Sequence, residues 1–310
     1  MDRFPAQSRV CFIGDSITHN NGFVSRIAAH YKLHLPEAKV RIWNNGISGG
    51  SARSANLFFD EDVRPIAPTH AVIMLGVNDS DRNALTAPEP ERSTRLDTAF
   101  EHYCTEMDRL CDRLAVLGCQ VTLCTPVPYA EFQSNMQNLL PGGNALIFRY
   151  AEHVREMAHT RGLPLVDYHA RMSELYLNEP LYGDEPVHPN EMGHYRMAEY
   201  FLRTQGLKID PYAPLADVQA AAGLTEWAAL TAKIRDVYAA EKNFLPDCMT
   251  MTSAQKIERI QQLLAEMNAR DGQTILAWKT HMFRHYLEIA PHRAASIARL
   301  DQMIRDWYPD

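Results

Sequence analysis

Five short apolar runs, at positions 10–13, 40–43, 71–75, 121–124 and 163–166, constrain this chain more than any other feature. Most are nearly continuous in apolar residues rather than alternating, which is the pattern of strands buried on both faces of a sheet. Helix-like segments separate them, at 23–33, 51–59, 94–117 and 146–161. Within 94–117, Phe100, Tyr103, Met107, Leu110, Cys111 and Leu114 recur at helical spacing, and Gly118 falls at the C-cap position before the next strand. Alternation of this kind specifies a parallel sheet covered by helices on both faces. Right-handed crossovers leave few topologies open. The expected fold is α/β: a flavodoxin-like three-layer α/β/α sandwich with five parallel strands in the order 2-1-3-4-5, closed by a final helix at 190–204.

The character changes after Gly206. Positions 208–214 contain Pro211 and Pro214 and have the composition of a linker. Beyond them no strand pattern occurs, and helical periodicity covers 225–242, 253–269, 273–289 and 291–307. In the second of these, Ile257, Ile260, Leu263, Leu264 and Met267 form one apolar stripe. The region is rich in large apolar side chains, among them Trp227, Tyr238, Phe244, Trp278, Met282, Phe283, Tyr286 and Trp307, which are expected to form core. The expected division is a catalytic domain at 1–206 and an all-helical C-terminal domain at 207–310. Three roles stand open for the latter: covering the active site, supplying a substrate wall, or pairing two subunits into a homo-oligomer.

Composition removes several function classes. The 310 residues carry a formal net charge of −7, with a sequence pI near 6.0 and no dense Lys/Arg block. A nucleic-acid partner or an anionic membrane surface is therefore not expected. No run approaches the length of apolar residues that crosses a bilayer, and the N-terminus shows no signal-peptide pattern. The six cysteines include no Cys-x-x-Cys, so reduced thiols packed in a core are expected, in a cytoplasmic setting. The spacing of His, Cys, Asp and Glu calls for no metal, and no cofactor motif is present.

Four short elements carry the chemistry. The first run leads straight into Gly14-Asp15-Ser16, placing a serine at the carboxyl end of a first strand, where open α/β sheets bind ligands. After the second run comes Asn44-Asn45-Gly46-Ile47-Ser48-Gly49-Gly50, whose glycines allow close approach of backbone amides to a ligand. The third run ends in Gly76-Val77-Asn78-Asp79, where the Asn78 amide is a neutral donor suited to a developing oxyanion. Just before the last helix stands Asp184-Glu185-Pro186-Val187-His188-Pro189-Asn190, a histidine held extended by the following proline with carboxylates close upstream. Singly, each element is also what an ordinary turn or helix cap looks like. Jointly, all four fall at one sheet edge and supply nucleophile, backbone donor, side-chain donor and base.

In these four blocks the chain resembles the SGNH, or GDSL-type, esterase/lipase superfamily, over about residues 8–204. The resemblance implies Ser16 as nucleophile and as one oxyanion donor through its amide. It implies Gly49 and Asn78 as the further donors and His188 as base. The family pattern places an aspartate three residues before the histidine. Here that register holds Glu185, with Asp184 one residue further away, and both stand as candidates to orient the imidazole. Asp15 and Asp79 are expected to shape turns rather than to catalyse, and His19 to lie at the surface.

The function that follows is a serine esterase acting on a small-molecule ester, needing no metal or cofactor. The resemblance implies many ester types, with O-acetyl groups of a carbohydrate as the leading expectation. Two alternatives use the same residues differently: an acyltransferase with a sugar acceptor, and a non-catalytic binding or scaffold protein acting through its helical region.

Overall fold

The computed structural model of the protein describes residues 1–133, 136, 139–268 and 277–308. Its sheet contains β1 (Arg9–Gly14), β2 (Arg41–Gly46), β3 (His70–Met74), β4 (Gln120–Cys124) and β5 (Leu165–Val166). All pairings are parallel, and the order is β2-β1-β3-β4-β5, as the alternation of runs predicts. Seven helices accompany it: α1 (Ser16–His19), α2 (Gly22–His34), α3 (Ala52–Asp62), α4 (Glu91–Val116), α5 (Gly143–Arg161), α6 (Tyr168–Leu175) and α7 (Glu191–Thr204).

The continuous apolar character of β1 has its cause in two cores. Val10 and Phe12 face one layer, where they join Phe23, Val24 and Ile27 of α2 and Met197 and Phe201 of α7. Cys11 and Ile13 face the other, against Phe59 of α3, Met107 and Leu110 of α4 and Tyr150 and Val154 of α5. Successive side chains of a strand point to opposite faces, so a central strand must be apolar at every position.

Two strands differ most in extent from the apolar runs. β2 continues through Asn44 and Asn45, because buried hydrogen bonds satisfy both amides. Asn44 Nδ2 donates to Thr18 O at 2.7 Å and Asn45 Nδ2 to Asp62 O at 2.9 Å. The last run shrinks to two residues at Leu165–Val166. Leu163 N is used to close α5, donating to Ala158 O at 2.8 Å, and Pro164 has no N–H to give. α6 has no counterpart among the expected helices.

A second group of helices follows: α8 (Leu215–Ala221), α9 (Thr225–Phe244), α10 (Ser253–Asn268), α11 (Ala277–Ile289) and α12 (Arg293–Arg305). Expected helix positions 269 and 273–276 lie outside the described residues. Trp227, Val237, Tyr238, Met282, Phe283 and Tyr286 are buried, in the same apolar cluster as Ile42 and Trp43 of β2. α9 and α12 pack on β2, the edge strand, and so shield a sheet border that is a template for unwanted pairing when left open. Trp278 departs from the expected core and stays 48% exposed.

One buried ion pair joins the two parts. Arg235 of α9 donates through both terminal nitrogens to Asp62 of α3, at 2.8 and 2.7 Å, with both side chains almost fully buried. Removing one partner of such a pair leaves a buried charge and typically costs about 3–5 kcal/mol. Urea unfolding of Arg235→Ala is expected to show a loss of that order. A loss below about 1 kcal/mol would show the pair behaving like an exposed surface contact.

Candidate active site

Each block identified in the sequence sits at the carboxyl edge of the sheet, and a specific local device holds each one. Asp15 is the N-cap of α1, its side chain accepting from Ile17 N at 2.9 Å, which sets Ser16 as the first helical residue. Ser51 caps α3 in a capping box with Ser54, giving the loop 47–50 a fixed end point. Gly49 lies in that loop at φ +73°, a left-handed conformation that glycine adopts without steric cost. Asn78 donates one N–H to Gly50 O at 2.9 Å, and its amide carries a second N–H.

The loop 180–190 is held most heavily. Asn190 caps α7 by accepting from Gly193 N, and its own amide donates to Pro180 O and Tyr182 O at 2.7 and 3.1 Å. Ala130 N donates to Pro186 O at 2.9 Å, and Tyr182 and Pro189 form an antiparallel bridge. These contacts bring His188 back over β1. Its Nε2 lies 2.8 Å from Ser16 Oγ, a contact spanning 172 residues of sequence.

The carboxylate against the other ring nitrogen is that of Glu185, at 2.7 Å from His188 Nδ1. The extra methylene of glutamate lets the group fold back on its own loop. Oε1 also accepts from His188 N at 2.7 Å and Oε2 from Val187 N at 2.9 Å. Asp184, the other candidate, is exposed and makes no described contact with the imidazole. Desolvation by the surrounding loops works against a charged His188, but the hydrogen bond and charge of Glu185, with Asp15 beyond, hold its pKa above the ordinary value. Glu185 is held below its own ordinary value, since bonds from His188 and the amides of Val187 and His188 outweigh its desolvation. A hydroxyl, an imidazole and a carboxylate thus stand in one line of contacts.

Several residues at the site carry no signal in the four blocks. Asn243, near the end of α9, donates to Ser48 O at 2.7 Å, and a Cβ at Gly49 would lie 2.5 Å from Asn243 Oδ1. Lys242 is beside it, donating to Asn243 Oδ1 at 3.2 Å, and burial lowers its pKa. Their sequence context is an ordinary amphipathic helix, so only the fold reveals that the second helical group touches the Gly49 loop. His19 is not a surface residue: its Nδ1 accepts from Ser48 N at 3.1 Å and its Nε2 lies 3.1 Å from Asp236 Oδ1.

Two grooves lie beside these residues. One of about 400 Å³ is lined by Arg82, Asn83, Tyr129, Glu185 and His188. The other, of about 720 Å³, is lined by Arg53, Asn56, Asn78, His102, Glu106 and Arg109. A further cavity of about 800 Å³, bounded by Arg9, Arg41, Trp43 and Arg305, opens at the amino edge of the sheet and is remote from the Ser16–His188 pair. Among the described residues no helix is long and apolar enough to cross a membrane.

Comparison with known proteins shows the family. Residues 12–196 match the GDSL-like lipase/acylhydrolase family, and the chain belongs to that family, a group of carboxylic ester hydrolases with the SGNH fold. An acetylxylan esterase of Geobacillus stearothermophilus is 27% identical over 217 residues, covering 64% of this chain and 94% of that protein. A solved structure of a catalytic mutant of an acetylxylan esterase from the same organism superposes with a TM-score of 0.57 and 23% identity, over 67% of this chain and 99% of its own. A gut microbial diltiazem-metabolizing enzyme matches 99% of this chain and 96% of its own, with a TM-score of 0.78 and 17% identity. The fold of that neighbour therefore extends through the second helical group.

Beneath the site, burial pushes the Asp15 carboxyl up to about 6 and the Asp79 carboxyl up to about 7. Asp79 accepts from Ala52 N through Oδ1, while its buried Oδ2 has no partner among the described residues. Between the unfolded value near 4 and about 7, the native state keeps a proton on Asp79 that the unfolded chain releases. That contribution to stability is complete below the unfolded value and is lost as pH rises through about 7. Asp79→Asn lacks this titration, so the stability of the variant relative to the native protein is expected to rise from pH 5 to pH 8. Urea midpoints that stay in constant relation across that range would refute it.

Proposed function

We propose that this esterase hydrolyses small acyl esters through an acyl-enzyme formed on Ser16, with O-acetyl groups of a carbohydrate as its substrate class. The observation that carries the proposal is the contact of 2.8 Å between Ser16 Oγ and His188 Nε2, with Glu185 on the opposite ring nitrogen. In this reading residues 1–206 form the catalytic domain and residues 207–310 a helical domain that braces it.

His188 takes the Ser16 proton as the oxygen attacks the ester carbonyl, and Glu185 stabilises the imidazolium that results. The tetrahedral oxyanion is held by the amides of Ser16 and Gly49 and by the free N–H of Asn78. His188 then protonates the leaving alcohol, and the acyl group remains on Ser16. In the second half His188 removes a proton from water, the hydroxyl attacks the acyl carbonyl, and the carboxylic acid leaves as Ser16 regains its proton.

The substrate class is supported from two sides. A Geobacillus relative is named for acetylxylan, and solved structures of acetylxylan esterase from that organism include catalytic mutants in which a serine, an aspartate or a histidine is replaced by alanine. In this chain the groove beside Asn78 is walled largely by charged and amide side chains, Arg53, Asn56, Asp60, Glu106, Arg109 and Arg113 among them. Such walls suit the hydroxyls of a sugar better than a long acyl chain, whose burial needs apolar surface.

Hydrolysis of p-nitrophenyl acetate, butyrate and octanoate, with acetate release from acetylated xylo-oligosaccharides alongside, tests this directly. Turnover is expected to fall with acyl length and to vanish in Ser16→Ala. Asn78→Ala is expected to lower kcat on acetate by about 10²–10³-fold with little change in KM. Preference for octanoate, or acetate release that persists in Ser16→Ala, would overturn the proposal.

A further inference from the structure

A cluster of metal-ligating side chains lies away from the Ser16–His188 pair. α11 carries His281 and His285 one turn apart, so both project from the same face, with ring centroids 4.0 Å apart. Asp236 of α9 is buried opposite them. One donor atom from each of the three residues lies within 4.8 Å of the other two. We propose that Asp236, His281 and His285 bind a divalent transition-metal ion of the zinc type.

The donor set selects the ion. Two imidazole nitrogens and one carboxylate oxygen suit zinc and its first-row neighbours, whereas magnesium and calcium prefer all-oxygen surroundings. Donor–metal bonds of about 2.0–2.2 Å put neighbouring donors about 3.3 Å apart around a tetrahedral ion. The donor atoms already lie within 4.8 Å of one another, close to that spacing. His285 Nδ1 now lies 2.6 Å from Asp236 Oδ2, and an ion between them would spread that pair. His281 is exposed, which gives a path of entry and leaves a fourth position for water.

The outer contacts fit a ligand carboxylate. Asp236 Oδ1, the oxygen turned away from His285, lies 3.1 Å from His19 Nε2. His19 Nδ1 accepts from Ser48 N, which fixes the proton on Nε2 and makes it the donor to Asp236. A carboxylate ligand held by such a partner is oriented before the metal arrives. The bound ion would tie α11 to α9 and, through His19, to the amide of Ser48 beside Gly49. The site stands independently of the esterase reading.

The test is isothermal titration of zinc chloride, with magnesium chloride as comparison, into the untagged full-length protein after chelator treatment and dialysis. One zinc per chain with micromolar affinity is expected, with no matching magnesium signal. His281→Ala, at an exposed side chain, and His285→Ala are each expected to weaken that binding at least about tenfold. His159→Ala, an exposed histidine on α5, is expected to leave it unchanged. Zinc is also expected to raise the Tm of the native protein and of His159→Ala but not that of His281→Ala. Zinc binding weaker than millimolar, equal binding of magnesium, or full affinity in His281→Ala would overturn the proposal.

Discussion

The close approach of α1 to the end of β2 is the contact on which the site depends. A Cβ at Gly46 would lie 2.2 Å from His19 N and 2.6 Å from the carbonyl carbon of Thr18, so no other residue leaves room for this seating. Asn44 reinforces it, donating to Thr18 O and Asn21 Oδ1 while accepting from Gly46 N. The segment that carries Ser16 thereby meets the loop 47–50 on both sides of the serine, through Ile47 N to Gly14 O at 3.0 Å and Ser48 N to His19 Nδ1 at 3.1 Å. A parallel sheet opens its strand ends to ligands. This contact fixes the loop after β2 beside the segment that carries Ser16.

The far half of the site reaches the same spot through the fold. His188 arrives from the loop before α7, and its position rests on Asn190, Pro186 and Pro189 rather than on any contact near Ser16 in sequence. Glutamate in place of the aspartate of the family pattern works because Glu185 accepts from two amides of its own loop while facing the imidazole. The loop 47–50 has a comparable outside support. Asn243 of α9 holds Ser48 O, and His19 holds Ser48 N, so both polar groups of one peptide-bearing residue are fixed by side chains. The helical group thereby does more than cover the exposed edge of β2.

How much of this was legible in the sequence follows from physical range. Continuous apolar runs report burial on both faces, and the sheet order follows from alternation and crossover handedness; both were readable. That Ser16, Gly49 and Asn78 fall at one sheet edge was readable because the strands they follow are themselves readable, whereas His188 reaches Ser16 from the loop before α7. Asn44 and Asn45 looked like loop residues because polar side chains in a strand are acceptable only with buried partners, here Thr18, Asn21 and Asp62. Asn243, Lys242 and Asp236 gave no signal, since a helix that docks through a few polar side chains has the same periodicity as one that does not. The choice between Glu185 and Asp184 depended on how one loop turns, which register alone does not fix.

The central claim is that Ser16, activated by His188, is the nucleophile of this esterase. Intact-mass measurement after treatment with a small fluorophosphonate, followed by peptide mapping, tests it most directly. The account predicts a single adduct on the peptide carrying Ser16, strongly slowed in His188→Ala and absent in Ser16→Ala. Labelling at a different residue, or a rate unchanged in His188→Ala, would contradict it.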